Sequence, residues 1–143
     1  MRVAKTGPQR DGSDDGVLLA LFRAIASRDN REVARRLDES RDVAIRPIHI
    51  GATRDYAKTY LLTAIHHYVY SGDTALHISA AAHQRRLAES IVMRGADVRA
   101  RNRMGAEPLH YAADGGPTAN GSDSAAQSDV IAYLIEAGTP CPA

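Results

Sequence analysis

Gly72-Asp73-Thr74-Ala75-Leu76-His77 returns 33 residues later as Gly105-Ala106-Glu107-Pro108-Leu109-His110. Gly, Leu and His match in register. Each block runs on into an apolar, alanine-containing stretch, Ile78-Ser79-Ala80-Ala81 and Tyr111-Ala112-Ala113. A fixed period of this length marks a stacked solenoid, in which each unit buries its apolar face only against its neighbours. The pattern therefore points to an all-α array rather than to a single enzyme core. Aromatic residues make up 5% of the chain, with no Trp and one Phe, so alanine and leucine must carry an interior of closely approaching helices.

Residues 1–14 are polar and rich in Gly, Asp, Arg and Ser, and are expected to form a disordered tail ahead of a domain spanning 15–143. Leu18, Leu21, Phe22 and Ile25 recur at helical spacing between Val17 and Ala26. A second short helix carries Val33, Ala34 and Leu37 on one stripe, which makes residues 16–50 a first helical hairpin. Pro47 breaks the chain after it. Tyr56, Tyr60, Leu61, Ala64, Ile65 and Tyr68, at spacings of three and four behind a Thr53 cap, predict an inserted helix over 51–70. Repeat 2 covers 72–104, with helices over Thr74–Ala82 and Arg85–Arg94 and a glycine stop at Gly95. Repeat 3 covers 105–143. Its second helix, from about Ala125 to Ala137 and closed by Gly138, comes after a Gly- and Ser-rich loop that carries the excess length.

Asp73-Thr74-Ala75-Leu76-His77, the alanines that end the first helix, and Gly95-Ala96-Asp97-Val98 resemble the ankyrin repeat. With the Tyr-rich insert and the long loop, the chain looks like a group of bacterial ankyrin-repeat proteins. The resemblance implies about three helix-turn-helix repeats with structural positions at Gly72, Thr74, Leu76, His77, Gly95, Gly105, Pro108, Leu109, His110 and Gly138. It also implies that Thr74 and His77 hydrogen-bond to each other and to backbone. Glu107 replaces that threonine in repeat 3, so His110 must find another partner, while Pro108 supplies a preset first helical residue. His83 stands where the family has glycine and must hold a positive φ at some cost, leaving that turn less ordered.

The implied function is non-catalytic protein binding through the concave face and the extended fingers. The finger Asp97–Met104 offers Arg99, Arg101 and Arg103 on one side if it is extended, beside Met104. Arg85 and Arg86, with the 115–124 loop, would flank it. Such a surface suits a carboxylate-rich protein partner. Nucleic acid is not expected: the net charge is +1 and no aromatics interleave with the arginines. No stretch approaches the roughly 18 apolar residues of a membrane span. The basic N-terminus lacks the apolar run of a signal peptide. Cys141 stands alone, and a reducing, cytoplasmic setting is expected.

No cofactor is implied. The six histidines include the pair His66-His67 and the repeat position His110, and a metal site or small hydrolytic centre around them is the alternative class. Adjacent histidines on a helix diverge, however, and no His-Glu-x-x-His pattern is present. A Ser79–His77–Asp73 arrangement lacks the Gly-x-Ser-x-Gly elbow. The last helix shows Val130, Ile131, Tyr133, Leu134 and Ile135 with no finger after Gly138. Either the short tail caps this end, or the chain is a piece of a longer array, or the end self-associates through a second copy.

Overall fold

The structure, a computed structural model, describes residues 7–55, 57–114 and 124–138. Three helix pairs follow one another: α1 (Gly7–Ala26) with α2 (Asn30–Glu39), α3 (Ala75–Ala81) with α4 (Arg85–Met93), and α5 (Pro108–Asp114) with α6 (Ser124–Gly138). The first helices stack in the order α1, α3, α5, and the second helices form the outer layer. α3 is the centre of the stack, and every residue from Ala75 to Ala81 is buried. Its alanines let α1 and α5 approach from both sides. Leu18, Leu21, Phe22 and Ile25 of α1, Ile91 of α4, and Val130 and Leu134 of α6 close the core around it.

α1 starts at Gly7, so the expected tail over 1–14 is corrected from that residue on. Pro8 falls in the first turn, where its missing N–H has no intrahelical acceptor to lose and its fixed φ favours the helix. Residues 1–6 lie outside the described part.

The larger correction concerns the insert. Residues 51–70 do not form a helix. Lys58–Tyr60 is a single 3-10 turn, and β1 (Leu61–Leu62) pairs antiparallel with β2 (His67–Tyr68), with Leu61 opposite Tyr68 and Leu62 opposite His67. The side chains that reach the core are Leu62, Ile65 and Val69, whereas Leu61 and Tyr60 are half-buried and Ala64 is exposed. His66 takes φ 54, which an α-helix cannot contain. The stretch is rich in threonine, tyrosine and β-branched residues that suit a pleated surface, and this outweighs the three-and-four spacing. Tyr56 lies outside the described residues.

The hairpin is an elongation of the first finger. At the base, Ile48 and Gly72–Asp73 exchange backbone hydrogen bonds of 2.8 and 2.9 Å, and Ser71 Oγ donates to the His49 carbonyl at 2.6 Å. The Asp15 carboxylate of α1 accepts from the backbone N–H groups of His49 and Ile50, each at 2.9 Å. Further out the insert folds back over the first-helix side. Arg23 of α1 donates to the Thr59 carbonyl at 2.9 Å, and the His67 ring meets Tyr111 of α5 with centroids 4.5 Å apart. One segment thus spans from the first repeat to the third.

Two turns between paired helices use left-handed residues other than glycine, Arg28 (φ 62) and His83 (φ 57). The His83 turn has the conformation expected from its position. Gly95 (φ 108) ends α4 as expected. Among the described residues, no helix is long and apolar enough to cross a membrane.

Candidate partner-binding groove

The turn into α3 sets the pattern for the site. Thr74 caps the helix by accepting the His77 N–H, and His77 Nδ1 accepts the Thr74 N–H at 3.1 Å. Carbonyls only accept, so the 2.9 Å contact of His77 Nε2 with the Ala106 carbonyl places a proton on Nε2. His77 is fully buried, neutral, and joins repeat 2 to the opening turn of repeat 3. Repeat 3 copies half of this: His110 Nδ1 accepts the Glu107 N–H at 2.9 Å, the alternative partner that the missing threonine demanded. With Nδ1 occupied as an acceptor, the neutral His110 ring carries its proton on Nε2.

The Glu107 carboxylate turns to the finger instead. Arg99 reaches it at 3.4 and 3.5 Å, and Arg101 at 3.4 Å. Burial would raise the Glu107 carboxyl, but these two guanidiniums more than offset it and hold the pKa below its ordinary value. The finger is a chain of turns rather than an extended strand. Asp97 Oδ1 accepts the Arg99 N–H at 2.9 Å, and Asn102 Oδ1 accepts from Met104 and Ala106 at 2.9 and 3.0 Å. Arg99 and Arg101 do share a side, on Glu107. Arg103 anchors by its backbone N–H to the Ser71 carbonyl at 2.8 Å and leaves its side chain exposed, next to Met104, which is 68% exposed.

Behind the finger lies a buried network. Asp73, fully inaccessible, accepts from Tyr70 N–H at 2.9 Å, from Asn102 Nδ2 at 2.9 Å, and from the Tyr111 hydroxyl, which lies 2.8 Å from both carboxylate oxygens. Every donor is neutral. Burial raises the Asp73 pKa, with His77 and these hydrogen bonds opposing. Burial also raises the Tyr111 hydroxyl, reinforced by the Asp73 charge, so it remains a donor. The Tyr111 ring sits between His67 at 4.5 Å and His77 at 5.1 Å.

These elements enclose a groove of about 740 Å³ between the hairpin tip, the finger tip and α5. Its walls are His66, His67, Tyr68 and Tyr70 from the insert, Asn102, Met104 and Ala106 from the finger, and His110, Tyr111 and Ala113 from α5. None of these carries a carboxylate. Sequence reasoning named Met104 and the neighbouring arginines but missed Tyr68, Tyr70 and Tyr111. The structure does bring His66, His67 and His110 to one groove. Among the described residues, however, no group of three His, Cys, Asp or Glu could hold a metal ion. Ser79 is fully buried and donates to the Leu76 carbonyl at 3.0 Å, so it does not form a triad with His77 and Asp73.

Arg85 and Arg86 are not beside this groove but on the outer helix layer. Arg85 is occupied: it pairs with Glu89 at 2.8 Å and Asp129 at 2.6 Å, with its guanidinium 5.5 Å above the Tyr133 ring. Arg86 is exposed. The 115–123 part of the flanking loop lies outside the described residues, as do 139–143, on which the proposed self-association of the C-terminal end depends. Gly138 itself packs against the finger, where a Cβ would lie 3.6 Å from Val98 and Arg99.

Burial lowers the His77 pKa from its ordinary 6.5, with the Asp73 charge opposing. The unfolded chain takes up a proton near pH 6.5 that the folded chain refuses. This stability is fully present above that pH and is lost as pH falls toward the depressed folded value. The raised Asp73 acts oppositely: its contribution is present below 3.8 and lost as pH rises through its folded value. The urea midpoint is therefore expected to fall between pH 7 and pH 5, and to fall less in His77→Asn, whose amide oxygen can still accept the Thr74 N–H. Equal slopes for both chains would remove His77 as the group responsible.

The family model of the ankyrin repeat matches residues 71–103, the stretch from the base of the first finger through α3 and α4 to the second finger. No curated protein matches the chain. The match falls on the Thr74–His77 cap, the all-alanine end of α3 and the Gly95 stop, and the helix pairs on either side repeat the same architecture. Residues 71–103 match an ankyrin repeat, and the fold around them is all-α.

Proposed function

We propose that this protein is a non-catalytic binding module that holds a segment of a partner protein in the groove between hairpin, finger and α5. Ankyrin repeats in general are protein–protein interaction modules. The observation that carries the reading is the groove itself, with exposed Met104 and Tyr68 facing an imidazole- and phenol-lined wall. Tyrosine supplies contact area at small conformational cost, and tyrosine and methionine are both enriched at protein interfaces. Arg103 is exposed next to Met104 in sequence. Arg99 and Arg101 share the single Glu107 carboxylate, so the finger keeps a positive excess for carboxylates on the partner. The insert takes up part of the first-helix surface, which confines the partner to the hairpin side of the finger.

The test is affinity capture from a lysate of the source organism, comparing wild type with Met104→Glu and with Arg103→Glu. Both sites are exposed, so stability should change by no more than about 0.5 kcal/mol. A protein held by the wild type, reduced about tenfold or more by Met104→Glu and less by Arg103→Glu, is the expected result, since a central anchor carries more binding energy than an exposed charge. Identical captured sets would exclude this groove as the partner surface.

A further inference from the structure

The outer helix layer carries a second groove, of about 510 Å³, between α2 and α4. Its floor is aliphatic: half-buried Leu87 from α4 and exposed Ala34 from α2 lie over Val33 and Leu37 of α2, which are buried at its base. Its walls hold Arg28, Arg85, Arg86 and Arg94 against one carboxylate, Asp129. The arginines are not equivalent. Arg85 is committed to Glu89 and Asp129. Arg94 spans the groove end, donating to the Leu37 carbonyl at 3.2 Å and to Asp38 at 3.0 Å. Arg28 meets only a neutral acceptor, the Ala82 carbonyl at 3.0 Å, and Arg86 forms no ion pair with any described residue. Two guanidiniums without carboxylates thus flank an apolar floor. Arg28 is also held at φ 62, a backbone state that costs a non-glycine residue about 1–2 kcal/mol and tends to accompany function.

We propose that this groove is a second docking surface, for an acidic amphipathic helix of a partner protein. A helix laid between two helices presents apolar residues at i, i+3, i+4 and i+7 to the floor and its flanks to the walls. Carboxylates on those flanks meet Arg28 and Arg86, for which guanidinium forks are well shaped. A phosphate backbone would satisfy the arginines but leave half-buried Leu87 and exposed Ala34 uncovered. The protein then engages one partner segment on the finger side and another on the outer side.

The probe is a synthetic helical peptide with leucines along one stripe and glutamates on both flanks, labelled for fluorescence anisotropy. Its controls are the same peptide with lysines for glutamates, and single-stranded RNA. The acidic peptide should bind, lose affinity as salt rises, and bind about tenfold more weakly to Arg86→Glu, a change at an exposed residue that forms no ion pair with any described residue. Arg103→Glu, on the finger side, should bind it as wild type does. Circular dichroism confirms that each variant is folded. The proposal is overturned by no binding of the acidic peptide, by equal binding of the lysine peptide, by an unaffected Arg86→Glu, or by RNA that competes at the same site. Loss of affinity in Arg103→Glu instead of Arg86→Glu would assign the peptide to the finger groove and remove this second surface.

Discussion

Gly51→Ala should lower the stability of the fold by on the order of 3 kcal/mol, or about 10 °C in Tm. Gly51 lies where the insert leaves the base of the first finger. A Cβ added there would run into the Ser71 nitrogen and the Tyr70 carbonyl carbon, and would lie 2.6 Å from Tyr70 Cα. All three are backbone atoms, so no rotamer change can relieve the overlap. The chain at 70–71 cannot retreat either. Ser71 is tied to His49 by its hydroxyl and to Arg103 by its carbonyl, and the Tyr70 N–H is held by Asp73. Gly16→Ala is the matching control. Gly16 lies inside α1 with nothing within 4 Å of its absent Cβ, so alanine there should raise stability by about 0.5–1 kcal/mol. Thermal melts of the two variants should move in opposite directions. A Gly51→Ala protein melting with the wild type would mean that the insert does not cross the finger this closely.

Tyr111→Phe is the second large effect, on the order of 2–3 kcal/mol. The substitution keeps the ring between His67 and His77 and removes only the hydroxyl. Asp73 then loses its shared donor while remaining fully buried, and Asn102 loses one of its two acceptors. The hydroxyl stabilises the ionised form of Asp73, so its removal raises the folded carboxyl further. The cost should be greatest where Asp73 is ionised and should shrink as pH falls and the carboxyl takes up a proton. A double-mutant cycle with Asp73→Asn should show coupling of roughly 1–2 kcal/mol in urea unfolding, because both changes act on one network. Additive effects would show that the two groups do not share a proton-sensitive contact.

The parts of the architecture that recur were legible in the chain. The Gly72–His77 and Gly105–His110 blocks placed α3 and α5, the Thr74 and His77 side chains close the cap they were read to close, and Gly95 stops α4. Each of these depends on chemistry within a few residues. The insert did not yield to the same reasoning, since Tyr60, Leu61, Ala64 and Ile65 have helical spacing while Leu62, Ile65 and Val69 are the side chains the fold buries. Only the bulk of α1, many residues away, decides between them. The groove was hidden for the same reason: Tyr68 and Tyr111 line it together because the hairpin folds back, and nothing local to either tyrosine says so. The finger arginines were found by their alternate spacing, but the pairing of Arg99 and Arg101 with Glu107 depends on repeat 3 having lost its threonine. Asp73 is the most enclosed carboxylate of the described residues because Asn102 and Tyr111 arrive over it from 29 and 38 residues downstream, which its own neighbours in the chain do not show.

A repeat array that touches only nearest neighbours behaves as a one-dimensional chain of units, and its ends can fray one repeat at a time. The insert changes that. By fixing Thr59 on α1 and His67 on Tyr111, it links the first unit to the third and makes the stack a closed loop of contacts. Loss of either terminal unit now costs the insert's packing as well as one interface. Hydrogen exchange should therefore find α1 and α5 opening together rather than in sequence, with partial unfolding from one end suppressed. A binding surface assembled from the insert and the last repeat is, by the same linkage, present only when the whole array is folded.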